Sequence, residues 1–200
     1  MGLLRRLLAL LLLAAAVPAA AADPFVTVKP SAQLPANSAF WILEMESRPA
    51  SELVAGVELA RINAALSRSE PRWCAAEAFT TDSFTSPDPA VRAEIRRYLS
   101  GLEANVFRAE TRMTGLPAIG VVGNARTCAG RVVPFLLLVD HRAHVSRILY
   151  VRTFADWTPF ITLQADGNRL IVSSCLECDH ADILTYNRRT RRFSWHSAGP

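Results

Sequence analysis

Hydrophobic positions change their spacing twice along this chain. Residues 7–16, LLALLLLAAA, are an unbroken apolar run. Between residues 53 and 64 the apolar side chains Leu53, Val57, Ala60 and Ala64 recur at helical spacing. From residue 107 onward the period shortens to two. Phe107, Ala109, Thr111 and Met113 alternate with Arg108, Glu110 and Arg112, as expected for a strand with one buried face.

The helical spacing predicts a first helix over 51–67, with Ser51 able to accept a bond from an orphan amide at its start. Asp88 and Pro89 suit the start of a second helix over 89–103, whose apolar stripe is Val91, Ile95, Tyr98 or Leu99, and Leu102. Strands are expected at 107–113, 118–122, 132–139 and 145–154. The run VVPFLLLV at 132–139 is the most apolar of them and should be central, although Pro134 lacks a ladder donor and argues for a bulge or an edge at that end. Two hairpins follow. One pairs 160–163 with 169–173 around Asp166-Gly167-Asn168, and the other pairs 183–186 with 192–195 around NRRTR. Two N-terminal helices and then an antiparallel meander of six or seven strands define an α+β fold.

The apolar run at 7–16 belongs to a different kind of segment. Arg5 and Arg6 precede it, Pro18 breaks it, and Ala20, Ala21 and Ala22 lie before Asp23. Residues 1–22 therefore read as a cleaved secretory signal peptide, too short in its apolar part to span a bilayer, which takes about 20 residues. No Cys follows the cleavage position, which argues against a lipid-anchored start. Cleavage would leave 178 of the 200 residues. Residues 23–38 carry three prolines and no helical period, an extended arm, with a further short strand at 40–45. Residues 39–200 form a single domain with no second apolar run long enough to cross a membrane.

Charge adds little. Formal net charge is +4, and removal of Arg5 and Arg6 leaves 20 basic against 18 acidic residues, or +2, which does not imply a nucleic-acid partner. Lys29 is the only lysine, and no N-x-S/T acceptor occurs. The Arg- and Ala-rich usage fits a Gram-negative bacterium, and hence the periplasm or the exterior.

The four cysteines are more informative. An even count in an exported chain reads as disulfides, because that compartment is oxidising. Of the three possible pairings, Cys74 with Cys128 and Cys175 with Cys178 is preferred. The segment Cys175-Leu176-Glu177-Cys178-Asp179-His180 is the sharpest constellation in the chain. It suits a disulfide-pinned loop better than a redox pair, which would need a following helix to lower a thiol pKa. Zinc would need ligands beyond these two thiols and one imidazole, for which only His141 and His144 stand elsewhere in the mature chain outside the last strand. Ser173, Ser174 and His180 lack the nucleophile-elbow pattern of a hydrolase. Arg188, Arg189, Arg191 and Arg192 make a basic turn between the last two strands.

The resulting expectation is an exported, disulfide-stabilised protein that binds another macromolecule, an envelope protein or a cell-wall polymer, without cofactor or metal. Inhibitors, immunity-type proteins and envelope accessory factors all fit. Its binding residues would be Glu177, Asp179, His180, Arg188 and Arg189. The alternative is a periplasmic hydrolase or thiol-active enzyme centred on Cys175 to His180.

Overall fold

The structure is a computed structural model that describes residues 49–80, 106–140, 146–157, 161–174 and 181–198, and the single residues Ser83, Pro89 and Ala93. The signal segment 1–22, the arm 23–38 and the strand expected at 40–45 lie outside these residues. So does the second helix expected at 89–103, apart from Pro89 and Ala93.

The described chain is mostly β, which corrects the α+β expectation of two helices followed by one meander. It has one short helix, α1 (Leu59–Ala65), and three antiparallel sheets. The first sheet is a hairpin of β1 (Leu53–Val54) and β2 (Val57–Glu58). The second has five strands. Its order is β3 (Trp73–Ala78), β5 (Ala118–Thr127), β6 (Val132–Asp140) and β7 (Arg147–Thr153), with β4 (Arg108–Thr111) beside the first half of β5. The third has four strands in the order β11 (Arg192–Ala198), β10 (Ala181–Asn187), β9 (Arg169–Ser173) and β8 (Thr162–Asp166).

The apolar strand β6 explains the layering. Its odd-numbered residues Val133, Phe135, Leu137 and Val139 face Val54, Val57, Ile62 and Trp73 in one core cluster. Its even-numbered Leu136 and Leu138 lie in a second cluster with Leu163, Leu170, Val172 and Leu184 of the four-stranded sheet. A strand apolar on both faces must be covered on both faces. The hairpin and α1 cover one side, and the four-stranded sheet covers the other. The sheets approach closely at Gly120, where a Cβ would stand 2.9 Å from Leu163 Cδ2 and 3.3 Å from Leu170 Cδ1. Pro134 sits opposite Asn124 of β5, one residue short of the first β7 partner, so its missing donor falls beyond that ladder. Its carbonyl still accepts the Phe154 N–H at 2.9 Å.

The first expected helix begins eight residues late. Ala55 (φ 51°) and Gly56 (φ 75°) both lie in the left-handed region and form a two-residue hairpin turn. Val54 and Val57 are buried because they pair across that hairpin, whereas Leu53 is 56% exposed. Ser51 does not cap a helix; its hydroxyl donates to the Leu53 carbonyl at 2.7 Å and accepts the Leu53 N–H at 3.2 Å. Helix α1 then docks through buried Ile62. The Asn63 side chain donates to the Trp73 carbonyl and accepts the Trp73 N–H, both at 2.8 Å, so an amide side chain pairs with the outer backbone of β3.

The register of β3 against β5 shifts between Trp73 and Ala75, which leaves Cys74 in an irregularity at the end of the pair. There Cys74 bonds to Cys128, with Cα atoms 4.9 Å apart and both residues exposed. This is the pairing preferred from sequence. Cys175 and Cys178 lie outside the described residues.

Candidate binding groove

The β10–β11 turn is built by Asn187. Its Oδ1 accepts the N–H groups of Arg189 at 3.0 Å and Thr190 at 3.1 Å, an Asx turn that starts a four-residue loop. Arg191 closes the loop at φ 56°, a conformation in which a non-glycine residue is strained. Arg188 folds back across the neighbouring 112–117 loop, where its Nε and Nη2 reach the carbonyls of Met113 and Arg112, both at 3.5 Å.

Between that turn, the 112–117 loop and the start of β7 lies a groove of about 410 Å³. Arg147, Arg188 and Arg191 line it, with Tyr186 and Phe193 as its aromatic wall. Thr114 also lines it, and its hydroxyl is buried without a hydrogen-bond partner. No described residue lining the groove is acidic. Guanidinium groups bind oxyanions through paired N–H donors, so the lining favours an anionic ligand.

The wall continues along the open side between the two larger sheets. The β6–β7 register shifts between Leu138 and Val139, opposite Tyr150 and Ile148, which places the extra residue Leu149 in β7. Leu149 and Tyr150 therefore both pack toward the four-stranded sheet, and Ile148 and Val151 toward α1. Tyr150 meets Phe193 at 5.0 Å between ring centroids, and Phe193 meets Tyr186 at 4.8 Å. The Trp195 indole N–H donates to the Tyr150 hydroxyl, and the Arg152 guanidinium carbon lies 4.7 Å from the Trp195 ring centroid. Burial raises the Tyr150 phenol above its ordinary value, and the Trp195 hydrogen bond and the charge of Arg152 offset this only in part.

A second cavity of about 560 Å³ lies between β4, β5 and the β8–β9 turn. Glu110 and Arg112 give it both signs of charge. On the outer face of the four-stranded sheet, the Thr185 hydroxyl is 3.2 Å from His196 Nε2. A nucleophile also needs its base to be oriented by a third group, and no side chain other than Thr185 bonds His196 among the described residues. No group of three His, Cys, Asp or Glu that could hold a metal ion occurs among the described residues.

Of the binding residues expected from sequence, Arg188 and Arg189 occupy the β10–β11 turn, and only Arg188 lines the groove. Glu177, Asp179 and His180 lie outside the described residues, as do His141 and His144. Sequence reasoning missed Arg147, Thr114 and Tyr186. Arg147 is 41 positions from Arg188, and only the pairing of sheets brings them together. Phe193 and Trp195 alternate with exposed Ser194 and His196 and pack against the core. Comparison with protein-family models, with curated proteins and with solved structures finds no match. Among the described residues no helix is long and apolar enough to cross a membrane.

Proposed function

We propose that this chain is an exported, disulfide-stabilised envelope protein that binds another macromolecule through the basic side of its β10–β11 hairpin. The carrying observation is the exposed Cys74–Cys128 bond, which ties β3 to the residue that follows β5. Such bonds persist in oxidising compartments, which agrees with the export pattern at 1–22. The three arginines of the groove supply a surface for an anionic partner.

Two measurements test this reading. Intact mass of the protein recovered from the periplasmic fraction should give an N-terminus at or near Asp23, and retention of Met1 on exported protein contradicts it. Envelope polymer captured on immobilised full-length protein should fall when Arg188 and Arg189 are both replaced by Glu, more so at low salt. Capture that ignores the charge reversal places the binding surface elsewhere.

A further inference from the structure

We propose that the groove beside the β10–β11 turn binds the phosphate monoester of a phosphorylated saccharide. This rests on the preceding reading of that hairpin as the binding side. Arg147, Arg188 and Arg191 line one concavity, and none of the three makes an ion pair among the described residues. Among the described residues Asp140 is in register with Arg147 across β6 and β7, but it does not line the groove. Among the described lining residues three guanidiniums stand with no carboxylate, a positive excess that suits a phosphate monoester of roughly −1.5 to −2 better than a single carboxylate.

The body of the ligand follows from the other wall. Tyr186 and Phe193 are half-buried, so they offer apolar ring surface beside the charges. A groove of about 410 Å³ is at the lower end of the range for small-molecule sites, which suits a sugar ring or two.

Arg191 supplies the sharpest argument. The turn position that it holds, at φ 56°, is one that glycine or asparagine adopts without strain. A side chain kept at a strained position over a charged groove points to a use for its guanidinium.

Calorimetric titration of the full-length chain with glucose 6-phosphate, inorganic phosphate and glucose tests the assignment. Glucose 6-phosphate should bind roughly tenfold more tightly than inorganic phosphate, through ring contact with the aromatic wall. It should bind more tightly than glucose by a larger factor. Arg191→Gly should relieve the turn and so keep or raise the melting temperature, while lowering glucose 6-phosphate affinity at least about tenfold. Arg191→Asn should do the same, and Arg126→Ala, remote from the groove, should bind as the parent does. No binding of glucose 6-phosphate, equal affinity for inorganic phosphate, or full affinity in Arg191→Gly would each overturn the proposal. If polymer capture still depends on Arg188 and Arg189 in that case, the hairpin surface stands and only its ligand is wrong.

Discussion

Glu70 and Thr153 are 83 positions apart and meet through one oxygen. Glu70 Oε2 accepts the Thr153 N–H at 2.9 Å and the Thr153 hydroxyl at 2.8 Å. Thr153 ends β7, the edge of the five-stranded sheet, so a carboxylate satisfies a backbone donor that would otherwise lie open at that edge. Replacing Glu70 by Ala removes both bonds and should cost about 1.5–3 kcal/mol, with Gln costing less because it retains an acceptor. Urea midpoints of the two variants check this, and an unchanged midpoint for Glu70→Ala means that the pair contributes nothing to stability.

Gly120 and Gly123 should tolerate a methyl group very unequally. At Gly120 the added carbon meets the ends of Leu163 and Leu170, side chains that can shift, and Ala there should cost about 1–3 kcal/mol. At Gly123 it would stand 2.0 Å from the Glu77 carbonyl oxygen and 2.7 Å from Ala78 Cα, which are backbone atoms of β3. Gly123→Ala should therefore melt well below Gly120→Ala in a thermal scan. The reverse order would show that β3 does not pack as described.

Leu137 is wholly buried between β6 neighbours on the α1 side. Its replacement by Ala should cost about 2–5 kcal/mol in chemical denaturation. A neutral result would remove β6 from the centre of the molecule.

Breaking the Cys74–Cys128 bond by double replacement with Ala should lower stability by about 4 kcal/mol, from the loop closed by its sequence separation of 54. Peptide mapping without reduction should recover the linked pair. Recovery of Cys74 joined to Cys175 or Cys178 instead would contradict the bond.

Tyr150 should shape the alkaline limb of the stability curve. Its phenol is raised by burial in the folded protein, so around and above pH 10 the unfolded chain loses its proton first. Stability should fall as pH rises through that region, and the fall should be shallower in Tyr150→Phe. Equal alkaline slopes for the parent and the variant would show that the phenol ionises alike in both states.

The strands that carry long apolar runs or strict alternation were readable before folding. The runs at 132–139 and 145–154 correspond to β6 and β7, and the hairpin turns at Gly167-Asn168 and 188–191 fall where turn residues cluster. β3 was not readable, because WCAAEA is rich in alanine and has little strand propensity; its place is set by Trp73, Ala76 and the pairing with β5. The β1–β2 hairpin misled for a related reason. Its Val54 and Val57 are three apart, a spacing that serves a helix face equally well, and the Ala55-Gly56 turn was the overlooked signal. The division into two stacked sheets was also hidden, since hairpin patterns alone do not reveal whether β8 extends the sheet of β7 or packs across it. The groove inherits this difficulty, because its arginines come from both sheets.

The two flanks of the five-stranded sheet are fastened by different bonds. β3 is welded by sulfur to the residue just after β5, while β7 is held on its outer side by a side-chain oxygen. Thermal or chemical stress leaves the first fastening intact and releases the second. Local opening of the oxidised protein should therefore start at β7 before it reaches β3. The strand set free first is also the one that frames the arginine groove, so loss of binding should precede loss of the sheet.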